Sequence, residues 1–224
     1  SGDTTRFAYD PRTNRFLGIF KFFTTRPVSV ANHLRSRAYR FLDRLDQLFV
    51  LNSPKNGDKE VDDIFGRIGE YWHGNEPSHH IIYLYAYAGQ PWKAQKLLNT
   101  VIKTQYGNKP HSLTGNDDCG QMSAWYLFTC MGFYPVAPAS DYYVIGAPQI
   151  KHITMHLSNG KSFVITAENL SDQNIYIQSV RLNGKDWNSP FLPYSELKNG
   201  GTLHCVMGPQ PNRQWGIAGL SSSQ

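Results

Sequence analysis

A chain of 224 residues is long enough for one large domain or two small ones around a sizeable core, and its 40% hydrophobic and 17% charged residues exclude a disordered polymer. No apolar run approaches the ~20 residues that span a bilayer. The net charge of +5 belongs to residues 1–50, which hold 9 Lys and Arg against 4 Asp and Glu, while the remainder balances at 13 against 13; with no basic face joined to a recognisable module, nothing supports a nucleic-acid partner.

In chain order, the apolar segment 15–23 reads as a strand or as a remnant lacking its partner, and residues 1–45 form a segment of uncertain fold. From Ala31 to Phe49, Leu34, Ala38, Phe41, Leu42, Leu45 and Leu48 recur at spacings of three and four, which predicts a one-faced helix. Asn52 to Gly57 is turn chemistry, and a short helical pattern follows through Val61, Ile64, Phe65 and Ile68. Pro77 suits the first turn of a helix with Asn75 as N-cap, running through Ile82, Tyr85 and Ala86 to Gly89. Pro91 opens a second helix towards Gly107, so the two form a hairpin. A third, Met122 to Met131, ends at Gly132 and Pro135; it is apolar nearly all round and so expected to be buried on most sides.

From Tyr142 the period becomes strand-like. Residues 150–157 and 162–167 flank the turn Ser158-Asn159-Gly160; 175–182 meets a second turn at Asn183-Gly184, and 202–207 is a last strand. Helices followed by antiparallel strands define an α+β class. The expected division is a helical part over 46–140, an antiparallel β region packed on it over 141–218, and a tail at 219–224. Cys119, Cys130 and Cys205 give no disulfide framework, and the first two fall in what reads as one helix. The Tyr-rich composition, with thirteen Tyr and five Trp, suits either an aromatic core or rings that stack on sugars.

Two polar loops, each just before a helix, carry acidic residues. One is Gly74-Asn75-Glu76 and the other Gly115-Asn116-Asp117-Asp118. Carboxylates at a helix N-terminus are stabilised by the exposed amides, so capping alone explains them. The competing reading is chemical: consecutive Asn116, Asp117 and Asp118 repel one another unless a cation lies among them, and hard cations take oxygen ligands of this kind. His73, His79 and His80 around Glu76 raise zinc as a possibility, but their spacing fits no zinc signature.

Glu70-Tyr-Trp-His-Gly-Asn-Glu-Pro-Ser-His-His80 and Ala86-Tyr-Ala-Gly-Gln-Pro-Trp92 resemble a signature stretch of glycoside hydrolase family 92, the exo-α-mannosidases. Gly115-Asn-Asp-Asp-Cys-Gly-Gln-Met-Ser-Ala-Trp125 and Met131-Gly-Phe-Tyr-Pro-Val136 resemble a second. Tyr143-Val-Ile-Gly-Ala-Pro148 and Asn174-Ile-Tyr-Ile-Gln178 extend the likeness over about Asp46 to Gly216. The resemblance implies a calcium-dependent, inverting enzyme acting on mannose-containing glycans. Its helices belong to an (α/α)6 barrel preceded by a β-sandwich. An inverting hydrolase places an acid and a base about 6.5–9.5 Å apart with water between.

By motif position Asp118 matches the base, assisted by Asn116 or Asp117, and Asn75, Glu76 and Asp118 fall where the family holds Ca²⁺. His73, Glu76 and His79 would line the sugar, with His73 on the leaving-group side. Gly74 stands where α-1,2-selective members carry Glu, which leaves the linkage open. The family's acid lies in a string resembling Thr-Glu-Gly-Asn-Ala-Trp-Gln-Tyr, and no such string is present. The chain thus reads as a C-terminal part of a mannosidase that lacks the acid, its partner being the missing sandwich and barrel portion. The alternatives are an inactive sugar- or calcium-binding fragment, or a different (α/α)6 carbohydrate enzyme such as a phosphorylase. No signal peptide is visible at Ser1, and the resemblance alone implies an extracellular or periplasmic setting.

Overall fold

The computed structural model describes residues 9–10, 15–16, 39–50, 66–110, 112–137 and 139–217. Strands β1 (Tyr9–Asp10) and β2 (Arg15–Phe16) pair antiparallel. Helix α1 spans 39–48, and the hairpin β3 (Arg67–Ile68) and β4 (Tyr71–Trp72) follows. Then come α2 (Leu84–Tyr87), α3 (Pro91–Gln105) and α4 (Gln121–Met131). The remaining elements are β5 (Phe133–Tyr134), β6 (Tyr142–Ile145), β7 (His152–His156), β8 (Ser162–Glu168), β9 (Tyr176–Leu182), β10 (Lys185–Asp186), β11 (Phe191–Pro193), α5 (Tyr194–Lys198) and β12 (Gly201–Gly208). The helices and sheets form the expected α+β assembly. Residues 17–23, 31–38, the turn at 52–57, the pattern at 61–65 and the tail at 219–224 lie outside the described residues.

Two apolar cores organise the molecule. In the helical one, Leu45 of α1 packs with Tyr71, Ile82, Tyr83, Tyr85, Leu98, Val101 and Trp125. Asp46 ties α1 to the hairpin of α2 and α3: one carboxylate oxygen accepts from Tyr85 Oη at 2.8 Å and the other pairs with Lys93 Nζ. The second core lies under a five-stranded sheet of order β10-β9-β12-β8-β7. Alternation sends Phe163, Ile165 and Ala167 of β8 and Leu203, Cys205 and Met207 of β12 inward. A bulge opposite Val206 and Met207 skips Gln178, so Ile177 and Val180 both reach the core despite their odd spacing. The amide of Ile177 donates to Oε1 of buried Gln95 on α3, which joins the sheet to the helices.

The turns at Ser158-Asn159-Gly160 and Asn183-Gly184 stand where expected, the second with φ of 52° and 78°. The sheet is antiparallel at every pairing except β12 with β8, which run parallel.

Four expectations change. Arg67–Ile68 is a strand, because Gly69 (φ +64°) turns the chain tightly into β4 beneath the end of α1. The helix expected from Pro77 is instead a 3-10 turn at Glu76–Ser78, then turns bonded three residues apart, then the single α-turn of α2. The cause is visible at His79: its carbonyl accepts from Trp125 Nε1 at 3.1 Å, and Tyr83 N bonds His80 O instead. Helix α4 buries only Met122, Trp125, Thr129 and Cys130, while Tyr126 and Leu127 are 36% and 59% exposed. Cys119 is not in one helix with Cys130: it has φ 53° in the turn Asp118–Gly120, and Gly120 (φ +79°) separates that turn from α4.

Candidate active site

The two loops singled out above meet backbone to backbone. Gly115 turns with φ +74°, and a Cβ there would lie 2.7 Å from the Gly74 carbonyl oxygen and 2.9 Å from its Cα. Only a glycine allows that approach. It places the strip Asn116, Asp117 and Asp118 directly after a contact with Gly74, the residue before Asn75 and Glu76.

Asp117 and Asp118 differ in what they do. Both are exposed. One oxygen of Asp117 accepts from Ser123 N at 3.0 Å and the other from Ser123 Oγ at 2.7 Å, in the first turn of α4. These bonds, the hydroxyl first, hold the carboxyl below its ordinary range. Asp117 therefore serves the helix, as the capping reading foresaw, and the carboxylate of Asp118 opens the turn beside it. Asn116 is exposed on the same strip.

On the first loop, Asn75 occupies the N-cap position of the 3-10 turn but makes no side-chain capping bond. Glu76 is half-buried, and its Oε1 is buried without a hydrogen-bond partner. A buried carboxylate oxygen left unpaired is costly, and a hard cation with oxygen ligands relieves that cost. The donor chemistry of Asn75, Glu76 and Asp118 therefore fits calcium. Among the described residues no three His, Cys, Asp or Glu side chains converge as a metal site.

The histidines lie underneath rather than on the surface. His73 is 0% exposed and His79 is 1% exposed, their rings stacked 4.8 Å apart against Trp125. Both nitrogens of each ring are engaged. Tyr106 Oη donates to the Met122 carbonyl at 3.1 Å, so it accepts from His73 Nε2–H at 2.7 Å, and His73 Nδ1 then accepts from Tyr71 Oη at 2.9 Å. His79 Nε2–H donates to the His73 carbonyl at 3.0 Å, leaving Nδ1 to accept from Gln121 Nε2 at 3.1 Å. Gln121 Nε2 also donates to Tyr134 Oη at 3.0 Å. Such a network has room only for neutral imidazoles. Burial, then the neighbouring His79, drives His73 down to about 3; burial first, with His80 adding to it, brings His79 to about 4 despite its bond to the His73 carbonyl.

His73 and His79 thus do not reach solvent where the resemblance had them line the sugar; they brace the loop that carries Asn75 and Glu76. Sequence reasoning passed over Tyr106, Gln121 and Tyr134, because their partners are distant in the chain. Two local signals were present: Tyr71, two residues before its partner His73, and Gln121, the first residue of α4 directly after the Asp118 turn.

Residues 33–209 match the model of the glycosyl hydrolase family 92 catalytic domain, which starts earlier than the boundary expected at Asp46 and takes in α1. A family 92 α-mannosidase of Bacteroides thetaiotaomicron, solved with mannoimidazole, is 48% identical with a TM-score of 0.76, covering 80% of this chain and 23% of that one. A family 92 inverting mannosidase of B. thetaiotaomicron VPI-5482 is 38% identical with a TM-score of 0.68, covering 80% and 25%. An uncharacterized secreted glycosidase of Arthroderma benhamiae is 29% identical over 199 residues, 88% of this chain and 23% of its own length. The chain therefore spans about a quarter of the length of these relatives. With its signature loops joined at Gly74 and Gly115 and the match running over most of its length, the chain belongs to glycosyl hydrolase family 92 and covers part of the family's catalytic region.

Proposed function

We propose that this chain supplies the water-activating side of a calcium-dependent, inverting exo-α-mannosidase that removes terminal mannose from glycans, N-glycans included. The observation that carries the reading is the backbone contact of Gly115 with Gly74, which joins a strip bearing Asp118 to a loop bearing the unpaired Glu76 oxygen. Both of Asp117's oxygens are taken up by Ser123, so Asp118 is the carboxylate left to accept a proton from water. Asn116 assists it on the same strip, and Asp117 supports it by fixing the start of α4. Asn75, Glu76 and Asp118 would hold Ca²⁺, which when bound supplies positive charge for the hydroxyls of the sugar. His73 and His79 act on the sugar through the loop they brace.

The test is Asp118→Asn in the complete enzyme, assayed on aryl and disaccharide α-mannosides. Loss of a general base lowers turnover by about 10²- to 10⁴-fold; near-normal turnover would remove Asp118 from the mechanism.

As an isolated polypeptide the chain is proposed to bind mannose and calcium without turnover, because the acid-bearing string of the family is not among its residues. Calorimetric titration with Ca²⁺ and mannose, alongside an activity assay, decides this: turnover by the chain alone would refute it. The secreted Arthroderma relative supports an extracellular or periplasmic setting, and among the described residues no helix is long and apolar enough to cross a membrane.

A further inference from the structure

We propose that Tyr106 and Gln121 are positioning residues that lock the Glu76 loop and the Asp118 turn in one register through a one-way relay of buried and half-buried hydrogen bonds. The proposal rests on the reading of these loops as a mannosidase site. Every donor in the relay has one direction available. Tyr71 donates to His73, His73 to Tyr106, and Tyr106 to the carbonyl of Met122 in the first turn of α4. From the other side, Gln121 at the first position of α4 donates to His79, and His79 donates to the carbonyl of His73, the residue directly before Gly74. Both branches start from or end on α4 within four residues of Asp118; the first passes through the His73 ring and the second ends on the His73 carbonyl, within three residues of Glu76. The Trp125 indole closes the loop by donating to the His79 carbonyl.

The geometry matters because the closest approach of the two loops is between the backbones of Gly115 and Gly74, where no side chain can fix the register. A glycine contact sets how near the strands come but resists sliding poorly. Register must therefore come from side chains with fixed bond directions, and the relay supplies them around the buried rings of His73 and His79, where such bonds are strong and costly to break. Residues that orient the groups in contact with substrate typically govern activity by about 10- to 100-fold, since ångström-scale displacement of a reacting group has that effect.

The experiment uses the complete enzyme with Tyr106→Phe, Gln121→Met and the milder Tyr134→Phe, which takes from Gln121 its second acceptor. Lys103→Ala, on an exposed ion pair with Asp172, serves as control. Steady-state kinetics on an aryl α-mannoside are expected to show kcat lowered about 10- to 100-fold for Tyr106→Phe and Gln121→Met with KM little changed, as for lost transition-state alignment. The control stays at the wild-type rate. Histidine ¹⁵N spectra of the wild type are expected to show both rings as Nε2–H tautomers, with the His79 pattern altered in Gln121→Met. Unchanged kcat in the two variants, or Nδ1–H tautomers in the wild type, overturns the relay while leaving the mannosidase reading intact. An inactive wild-type enzyme overturns that reading instead, and the positioning role with it. Should Tyr106→Phe fail to fold, Tyr134→Phe and the wild-type spectra decide by the same criteria.

Discussion

At Gly115 one missing side chain holds two loops together. The residue combines a positive φ with a Cβ position 2.7 Å from backbone oxygen, and backbone cannot step aside as a flexible side chain would. Gly115→Ala is expected to cost about 1–3 kcal/mol, measured by urea unfolding, through left-handed strain and forced separation of the loops. Turnover should fall further than this loss of folded protein explains, because Asp118 moves away from Glu76. An Ala variant with wild-type stability and activity would show that the loops do not need this contact. At the same scale, part of the candidate site was legible in sequence: Asn75 is adjacent to Glu76, and Asn116, Asp117 and Asp118 are consecutive, so each loop is a local cluster. What pairs with them was not. His73 and Tyr106 are 33 residues apart and His79 and Gln121 are 42 apart, and no local pattern encodes such a bond. The burial of His73 was illegible for the same reason: Tyr71 is two residues away, but Tyr106 and Trp125, which enclose the ring, lie far along the chain.

Helix α4 carries the chemistry of one loop and the packing of both cores, and its start is set by Asp117. Asp117→Ala removes the acceptor of the Ser123 amide and hydroxyl. The expected cost is about 1 kcal/mol, as for other lost caps, read as a lower melting temperature. Asp117→Asn keeps an oxygen for the amide and should retain most of the stability. If Asp117→Ala left the melting temperature unchanged, the capping role would fall. Helix α4 was legible because its glycine stop and proline lie next to it in sequence. The turns at Gly160 and Gly184 were legible because two residues suffice to define them. The stretch after Pro77 was not: its 3.6-residue pattern promised a helix, but the Trp125 indole 46 residues away takes a carbonyl that the helix needed. Similarly, the nearly complete apolar circumference of α4 announced burial on most sides, yet Tyr126 and Leu127 stand exposed because packing partners, not composition, decide which side is covered.

For the molecule as a whole, the buried histidines tie stability to pH. Unfolded, His73 and His79 take up protons near 6.5, whereas folded they do so only at about 3 and about 4. Between those values the unfolded chain binds more protons, so stability is fully present above 6.5 and is lost as pH falls through that window. Urea midpoints should therefore decline from about pH 7 to about pH 5, by up to about 2 kcal/mol per ring. A flat or rising profile would contradict the neutral, sealed pair. The α+β class and the order of helices before strands were readable because both are properties of long stretches. The parallel placement of β12 was not, since nothing in a strand's own residues names its neighbours. That placement has a consequence for synthesis. Strands β8 and β9 are successive in the chain but lie on either side of β12. While the polypeptide emerges from the ribosome, the β7–β8 hairpin and the β9–β10 hairpin can each form but have no edge in common. They wait, each with one unpaired flank, until residues 201–208 clear the exit tunnel and slide between them, so a stall shortly before Gly201 leaves two sticky ribbons rather than a sheet.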